Sequence, residues 1–417
     1  MYLHGSEMRA SSAKELLAIT TLLSVFVLQY KLFLSPTSNN TQKIIRSEVK
    51  VKTPSDVSIT KTSYNKAKLI LSFTNIYGLE FDVATYGRSP SERRRHPDPL
   101  STCEYRCEWT TNRADYKKSD AVLFHLYNNL EVKDFVLRDL PTRYSLDQKW
   151  ILMIREPPAF FLPQQLKLLN NKFNLTMTFQ SDSDVSIPYG RYWKILPAEL
   201  KQSLSKIKNV AYKTKMVAWL VSNCITSSRR EDYVAELKLY IDVDVYGDCG
   251  ENVRNMKVQG EKFRQILAER YKFYLAFENS DCDEYVTEKF WTSLMMGMIP
   301  IVRGQRAKYE RFAPPNSYIN ADSFVTPRRL ADYLKAVSSN ITELQKYHQW
   351  RTEYSAGYQI FTGNRQWMCD LCQRVHRTEP KTVDVYDHFS EDKRCFTYLH
   401  QNGRNRTGER IQDIDRV

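Results

Sequence analysis

The chain has 417 residues, a net charge of +13 at pH 7, 42% hydrophobic residues and 12% aromatic residues. This length predicts two domains of ordinary size with tails, and the composition is sufficient for substantial hydrophobic cores. The basic balance alone would suit a nucleic-acid-binding protein. Because the sequence lacks zinc-finger spacing, an RNA-recognition motif and a basic helix with regular base-reading residues, we expect no nucleic-acid partner. Strong salt-dependent affinity for DNA or RNA would indicate the opposite.

The N-terminal region predicts a membrane anchor followed by a stem. The apolar stretch 16–34 is interrupted by Lys31, whose long side chain is able to reach the membrane interface. With it, the stretch reaches the roughly 17 to 25 residues that a spanning helix needs. No clear cleavage site follows, so we favour a signal anchor over a cleaved signal peptide or a buried helix. Residues 1–15 then form a cytoplasmic tail, and the polar residues 35–66 form a flexible stem.

Eight cysteines favour an oxidising compartment. Two close pairs, Cys103 with Cys107 and Cys369 with Cys372, lie near the two ends of the part that we expect to fold. The second pair forms a Cys-x-x-Cys motif, but neither a second such motif nor a pair of histidines completes a zinc site. We therefore interpret both pairs as disulfide cysteines.

The other four cysteines are less informative. Cys224 and Cys249 flank a predicted strand–helix–strand unit and are candidates to pair, while Cys282 and Cys395 are left either paired or free. The chain also carries glycosylation sequons at Asn39, Asn174, Asn340 and Asn405. Such triplets often arise by chance, so they matter only if the chain is lumenal.

The first half predicts an α/β domain over residues 67–205. Strands are predicted at 67–73, 120–126, 150–154 and 173–180, each an apolar run. The third strand delivers Glu156 at its carboxyl end, directly before two prolines that restrict the loop geometry. This is a suitable place for a general base. His125 lies within a strand, and we interpret it as a half-buried strand residue rather than a catalytic one.

A Lys-rich connector over 203–215 marks the predicted border, and a second domain is expected over 206–380. It opens with a strand at 213–223, a helix at 229–240 and a strand at 241–246. The last strand contains Asp242-Val-Asp244, a pattern by which many glycosyltransferases hold a metal ion. Because both aspartates alternate with apolar residues along the strand, we interpret them as strand structure. The similar Asp182-Ser-Asp184 lies outside this half.

The most informative run is 271–303, which predicts a strand at 271–277, an acidic loop, a helix at 286–296 ended by Gly297, and a strand at 298–302. In an open α/β sheet, ligands bind outside the carboxyl ends of the strands. A helix N-terminus at that edge also attracts anions. One mouth is therefore expected to gather Glu278, Asn279, Tyr285, Thr287, Glu288 and Lys289. The residues predict an anionic ligand such as a nucleotide; the alternative is an ordinary crossover without a site.

The same run, FENSDCDEYVTEKFW followed by GMIPIV, strongly resembles the donor-binding motif of the α1,3-fucosyltransferases. The stretches KTKMVAWLVSN, RREDYVAEL and VDVYGDCG resemble the first crossover of the family's donor domain. In the first half the resemblance is thinner: WILMIREPP and FNLTMTFQSDSDVSIPYG are similar to family segments. There Pro157 stands where the family usually has Ser, and Phe179-Gln180 replaces Tyr-Arg. These departures weaken what the resemblance implies about the acceptor side more than what it implies about the reaction.

The resemblance implies two facing Rossmann-like α/β domains of the B-type glycosyltransferase architecture. The first would meet the acceptor, and the second would hold GDP-fucose as donor substrate. The implied reaction transfers L-fucose from GDP-β-L-fucose to the 3-hydroxyl of N-acetylglucosamine (or glucose) in a glycan, with inversion. Glu156 would be the base. The donor would be bound by Arg229, Glu288, Lys289, Asn279, Tyr285, Tyr246 and Ser222.

Within that set, Arg229 matches the arginine that pairs with the donor diphosphate, and Arg230 is a neighbour easily mistaken for it. Glu288 would hold the ribose, and Lys289 would add positive charge at the diphosphate. We predict no tightly bound cofactor and no metal that the chemistry requires, although stimulation by a divalent metal is left open.

The family also implies the disulfides Cys103–Cys369 and Cys107–Cys372. It implies a single-pass type II protein of the Golgi membrane with a lumenal catalytic domain that acts on a glycoprotein or glycolipid. The alternative is a catalytically inactive glycan- or GDP-binding protein on the same fold. The sequence leaves open the acceptor (core chitobiose, N-acetyllactosamine or lacdiNAc) and the oligomeric state. Residues 381–417 are expected to form a tail of no predicted fold.

Overall fold

The computed structural model describes residues 66–75, 81, 100–101, 103–126, 140–250, 261–358, 366–378 and 380–396. Within these ranges, no helix combines the length and the apolar composition that crossing a membrane requires. The predicted anchor at 16–34, the stem and the sequons at Asn39 and Asn405 lie outside the described residues.

The first half contains a six-stranded parallel sheet. Its strands are β1 (Lys68–Ser72), β2 (Cys107–Thr110), β3 (Ala121–Leu126), β4 (Lys149–Ile154), β5 (Leu175–Thr178) and β6 (Val185–Ser186). They lie in the order β2-β1-β3-β4-β5-β6. Helix α1 (Pro163–Leu169) follows β4. The central strands are buried along almost their whole length, which explains why they are continuous apolar runs rather than alternating patterns.

The second half contains a five-stranded parallel sheet in the order β13-β12-β10-β8-β9. Its strands are β8 (Lys215–Leu220), β9 (Val243–Tyr246), β10 (Tyr271–Leu275), β12 (Ile299–Val302) and β13 (Ile319–Asn320). Its helices are α3 (Arg230–Leu237), α4 (Glu261–Arg270), α5 (Glu288–Met295), α6 (Pro327–Ser339) and α7 (Ile341–Lys346). Gly297, with φ at +71°, follows α5 as predicted.

Numbered within its own half, the second sheet has the strand order 2-1-3-4-5, and the first five strands of the first sheet have the same order. This is a doubly wound arrangement, in which the chain reverses direction between strands 1 and 3. The prediction of two Rossmann-like α/β halves is confirmed. The reversal point of the second sheet lies between β8 and β10.

The halves are joined by more than one connection. Helix α2 (Pro197–Asn209) runs between them, so the predicted border at 205/206 falls inside a helix. An antiparallel ribbon pairs β7 (Gly190–Lys194), which follows the first sheet, with β14 (Tyr354–Tyr358). At Gly190 an added Cβ would lie only 2.2 Å from the Trp291 ring of α5. Glycine therefore lets the ribbon pass directly against that helix.

The C-terminal part returns to the first half. Helix α8 (Gln366–His376) packs under the first sheet, although it falls in the predicted range 206–380 of the second domain. Residues 380–396, which we call the C-terminal strap, form α9 (Val385–Phe389), α10 (Glu391–Arg394) and β15 (Cys395–Phe396). This corrects the expectation of a tail without a predicted fold: Phe389 is 1% exposed and sits among residues of the first half.

The strap also reaches the second half, where β15 pairs with β11 (Asp281–Cys282). The structure forms the disulfides Cys103–Cys369 and Cys107–Cys372, which are the pairs that the resemblance implies. Cys224–Cys249 also forms. The pairing left open is Cys282–Cys395, which ties the end of the strap to the loop after β10.

Candidate active site

The predicted donor residues gather at the reversal point of the second sheet. The loop after β8 lies against the chain that leaves β10: the Ser228 hydroxyl donates to the Glu278 carbonyl at 2.7 Å, and the Ser228 N–H donates to the Asn279 carbonyl at 3.2 Å. Both loops follow neighbouring parallel strands, so they meet at one edge of the sheet. This edge is the usual ligand site of a doubly wound sheet.

The two neighbouring arginines have different environments. Arg230 is 3% exposed and donates to the carbonyls of Phe277 (2.7 Å) and Asn223 (3.0 Å), so it holds the two loops together. Burial lowers its pKa. Arg229 has φ at +49° and forms an ion pair with Asp232, a half-exposed carboxylate. Arg229 is therefore the better placed of the two to meet a ligand, and its diphosphate role stays a prediction.

The N-terminus of α5 is organised by a buried carboxylate. Glu278 Oε1 accepts from the Thr287 N–H at 2.8 Å and lies 2.9 Å from the Thr287 hydroxyl. Its other oxygen, Oε2, accepts from Lys289 Nζ at 2.9 Å. Lys289 also contacts the Thr287 hydroxyl at 2.8 Å and Glu288 Oε1 at 3.3 Å. Four of the six residues of the predicted mouth, Glu278, Thr287, Glu288 and Lys289, thus form a connected hydrogen-bond network.

The charges in this network support each other. Burial lowers the pKa of Lys289, but the carboxylates of Glu278 and Glu288 outweigh burial and the net shift is upward. Burial raises the pKa of Glu278 despite the nearby ammonium. The pKa of Glu288 is lowered, because Lys289 outweighs the opposite effect of burial. Lys289 is therefore a permanently charged ammonium at this helix end.

The remaining predicted donor residues occupy different positions. Tyr285 is 3% exposed, and the Asn279 Oδ1 atom is buried without a hydrogen-bond partner among the described residues. Ser222 is exposed just beyond β8. Tyr246 ends β9, where its hydroxyl lies 2.6 Å from that of Tyr271. Asn279 and Tyr285 therefore belong to the mouth, whereas the Tyr246 hydroxyl is part of a strand network.

The two Asp-x-Asp patterns are held by protein partners. Asp244 in β9 pairs with Lys215 at 2.7 Å, and Asp242 is exposed just before that strand. Asp182 and Asp184 pair with Arg394 and Lys381 of the strap at 2.7 and 2.5 Å. In the described part of the chain, Cys107, Cys372 and His376 form one potential metal cluster, but its two sulfurs form a disulfide.

The carboxyl end of β4, in the first sheet, leads to the predicted base Glu156 and is surrounded by aromatic residues. The Tyr189 hydroxyl donates to the Arg155 carbonyl, and the Arg155 guanidinium lies 4.2 Å from the centre of the Tyr189 ring. Tyr189 meets Tyr285 edge-to-face with ring centres 6.0 Å apart. Phe179 packs on Tyr285 at 5.1 Å. The end of the first sheet is therefore lined by aromatic rings.

The pKa values of Tyr189 and Tyr285 are both affected by carboxylates from the two halves. Burial raises the pKa of each phenol, and the negative charge of Glu156 raises both further. Glu278 and Glu288, from the second half, act on the same two phenols in the same direction. The predicted base and two carboxylates of the predicted donor mouth thus lie within electrostatic range of one aromatic pair.

His125 and the sequon residues Asn174 and Asn340 were also singled out in the sequence, and their side chains have the following environments in the fold. His125 is 5% exposed within β3, and burial together with Arg155 lowers its pKa to about 3, so it is neutral. The Asn174 amide bonds to Arg143, the Trp150 N–H and the Lys381 carbonyl. Asn340 is exposed, and its Oδ1 accepts from the first N–H groups of α7. Sequence reasoning missed Tyr189, although it lies in the segment that resembles the family.

Comparison with known proteins agrees with this geometry. The family model "Fucosyltransferase, N-terminal" matches residues 65–190, and "Glycosyltransferase family 10 (fucosyltransferase) C-term" matches residues 210–391. Alpha-(1,3)-fucosyltransferase C of Drosophila melanogaster is 33% identical over 386 residues, which are 87% of this chain and 84% of that protein. The chain belongs to glycosyltransferase family 10, the fucosyltransferases.

This fucosyltransferase has further relatives. It is 38% identical over 248 residues to a 3-galactosyl-N-acetylglucosaminide 4-alpha-L-fucosyltransferase of Bos taurus, with 59% of this chain and 64% of that protein covered. A solved structure of an alpha1,3-fucosyltransferase with GDP is similar at 16% identity and a TM-score of 0.45, covering 79% of this chain and 95% of that one.

Proposed function

We propose that this fucosyltransferase transfers L-fucose from GDP-β-L-fucose to the 3-hydroxyl of N-acetylglucosamine or glucose in a glycan, with inversion. The observation that carries the proposal is the edge-to-face pair of Tyr189 and Tyr285, which joins the two halves and feels the charges of Glu156 from the first half and of Glu278 and Glu288 from the second. The 3-linkage is supported by the name of the Drosophila relative, whereas the bovine relative is named for a 4-linkage.

The donor would bind at the second sheet. Its diphosphate would lie at the N-terminus of α5, where the helix dipole, Lys289 and Arg229 supply positive charge. Glu288, whose side chain is 32% exposed, is available to accept from the ribose hydroxyls. Asn279 and Tyr285 would line the space for the fucose. GDP-fucose is then a substrate that leaves as GDP and not a resident cofactor.

The reaction would proceed by direct displacement. Glu156 takes the proton of the acceptor hydroxyl as that oxygen bonds to the anomeric carbon of fucose. The bond from that carbon to the β-phosphate oxygen breaks, and the electron pair leaves with GDP. Lys289 and Arg229 stabilise the negative charge on the departing diphosphate. These side chains supply positive charge without a metal, so we propose that none is required.

We further propose a Golgi membrane location, single-pass and type II, with the catalytic part lumenal. The apolar stretch 16–34 and the polar residues 35–66 support an anchor and stem. Four disulfides among the described residues support an oxidising compartment. Microscopy of the tagged full chain with Golgi markers, together with protease protection of its C-terminus in sealed vesicles, tests both statements.

The experiment that tests the activity is an assay of the full chain with labelled GDP-fucose. The acceptors would be core-chitobiose glycopeptide, N-acetyllactosamine, lacdiNAc and a Galβ1,3GlcNAc glycan. We expect transfer to at least one acceptor, with an α1,3 bond seen by NMR. An α1,4 bond would overturn the linkage.

The alternative is an inactive glycan- or GDP-binding protein. Two features of the first half are compatible with it. Pro157 departs from the family pattern, and the side-chain amide of Gln180 is buried without a partner among the described residues. GDP binding without transfer to any acceptor would support this alternative. Absence of GDP binding would overturn the donor site itself.

A further inference from the structure

Glu278 is fully committed to protein partners. Its side chain is 3% exposed, and its two oxygens accept from the Thr287 N–H, the Thr287 hydroxyl and Lys289 Nζ at 2.8 to 2.9 Å. A buried carboxylate is stable only when its charge is paired and its lone pairs are used, and both conditions hold here. Glu278 therefore has no free edge for a ligand, although a glutamate after a parallel strand is a typical ligand position.

Lys289 is also fully engaged, but one of its three contacts is weaker than the others. An ammonium group has three N–H donors, and in this structure all three have acceptors: Glu278 Oε2 at 2.9 Å, Thr287 Oγ1 at 2.8 Å and Glu288 Oε1 at 3.3 Å. A phosphate oxygen is bound only if one of these acceptors is exchanged. The longest contact is to Glu288, whose side chain is 32% exposed, whereas that of Glu278 is 3% exposed.

We propose that Glu278 is a positioning residue for the donor diphosphate: it fixes the Lys289 ammonium at the N-terminus of α5, and donor binding exchanges only the Glu288 contact for a phosphate oxygen. This inference rests on the proposed donor site. Glu288 turns to the ribose hydroxyls as the phosphate arrives, so one N–H of Lys289 is released where it is needed. Glu278 and Thr287 keep the other two throughout.

The surroundings of Lys289 give the proposal a measurable signature. Among the described residues, the charged and titratable groups around it include Glu278, Glu288, Arg230 and Tyr274, and Arg264 of α4 acts on both Glu288 and Tyr274. Without the Glu278 charge, Glu288 is the remaining carboxylate among them. Burial and Arg230, which lower the pKa of Lys289, are then opposed by Glu288 alone, so the ammonium loses its proton at a lower pH than in the wild-type chain. Glu288 is also drawn towards the lysine and away from the ribose.

The test is GDP binding to the full chain by calorimetry, with Glu278→Gln against wild type. Loss of a charge-assisted hydrogen bond predicts a Kd for GDP about tenfold higher at pH 7. The ratio of variant to wild-type Kd should rise further from about pH 7 to about pH 9, because the variant's lysine loses its proton more readily than that of the wild type. Using the ratio cancels the titration of GDP itself. A constant ratio, or unchanged affinity, overturns the proposal.

Asp281→Asn is the matched control. Asp281 lies in the same loop, is 4% exposed as a whole residue, as Glu278 is, and accepts from the Gln305 and Arg306 N–H groups. We expect Asp281→Asn to lower the unfolding temperature without a pH-dependent change in the Kd ratio. A pH-dependent ratio in this control as well would show that any buried charge in the loop has this effect, and would overturn the specific role of Glu278.

If Glu278→Gln does not fold, Glu278→Gln combined with Lys289→Met removes both buried charges together. Because Glu278 acts through Lys289, the double variant should bind GDP as weakly as Lys289→Met alone. A further loss of about tenfold in the double variant would show that Glu278 acts independently. Failure of the wild-type chain to bind GDP is a different result, which contradicts the proposed function and not this inference alone.

Discussion

The carboxyl end of the second sheet is a closed polar network, whereas the carboxyl end of the first sheet is lined by rings. On the donor side, Glu278 and Lys289 have their hydrogen-bonding groups occupied by neighbours. On the proposed acceptor side, Phe179 and Tyr189 pack on Tyr285, and Glu156 is partly buried. A diphosphate needs fixed charges in advance, while a neutral sugar is well matched by aromatic faces and one base.

The two sides also differ in where they lie on equivalent sheets. The donor mouth is at the reversal point between β8 and β10, which is the expected ligand crevice. Glu156 instead follows β4, one strand beyond the reversal point between β1 and β3. In the proposed site the first sheet would therefore contribute one side chain to a site centred on the second sheet, and the links between the halves would set the distance between base and donor.

The largest expected effect is on the chemistry of the acceptor side. Glu156→Gln removes the base but keeps the size of the side chain, so kcat should fall by about 10²- to 10⁴-fold. The affinity for GDP should stay unchanged, because the donor network belongs to the other half. Initial rates and calorimetry check the two quantities, with the exposed Glu104→Gln as control. Retained activity would remove Glu156 from the mechanism.

The next effect concerns the strap. Replacing Cys282 and Cys395 by Ser should lower the free energy of unfolding by about 2–4 kcal/mol. Cys224 and Cys249, replaced in the same way, are the control: their bridge spans 25 residues against 113. Loop-closure entropy predicts a loss about 1 kcal/mol smaller for that pair. Denaturant unfolding compares them, and an equal or larger loss in the control would contradict this role of the strap.

A smaller effect is expected at a direct link between the two sides. Glu284, beside the donor loop, accepts from the Ser181 hydroxyl and from Arg311 at 2.8 and 2.7 Å. Glu284→Gln should cost about 1–3 kcal/mol of stability and raise the KM for acceptor more than the KM for donor. Glu343→Gln, which removes an exposed pair with Lys346, should change stability by less than about 1 kcal/mol. Equal changes in both KM values would contradict a link that sets the acceptor side.

The smallest effect is a pH dependence. Burial alone would raise the pKa of Asp184, but Lys381 and Thr176 outweigh it and the net shift is downward. A carboxyl with a lowered folded-state pKa contributes stability above its unfolded pKa of about 3.9, and this contribution is lost as the pH falls through the folded pKa. Asp184→Asn should therefore flatten the fall of Tm below about pH 4. The exposed Asp387→Asn should keep the wild-type slope.

The sequence predicted the secondary structure of 271–303 well because its signals are local. A strand, Glu278, a helix start and Gly297 follow one another within 271–303, and each depends on neighbours along the chain. The sequence could not predict the structural role of Glu278, because a glutamate that binds a ligand and a buried glutamate that holds neighbouring side chains follow a strand in the same way. Only the contacts to Thr287 and Lys289 distinguish them.

The strap and α2 were harder to predict for physical reasons. The strap is held by distant partners, as in the pair Lys381–Asp184, whose residues are 197 positions apart. Its helices of five and four residues are too short to show a period. In α2, many lysines indicated a connector, yet Lys206 donates to the Met295 carbonyl at the end of α5. The lysine-rich segment is therefore a helix, and one of its lysines, Lys206, caps the C-terminal end of α5.

The disulfides to α8 also bear on how the protein is made. Cys103 and Cys369 are separated by 266 positions, so the helix that covers the first sheet leaves the ribosome long after that sheet. The five strands of the second sheet all precede α8 in the chain, so that sheet is able to form first, although domains usually fold in the order of synthesis. Until α8 has been synthesised, the apolar face of the first sheet against which α8 packs stays exposed in the nascent chain. Truncation before Gln366 would therefore damage the half of the protein that was synthesised earliest.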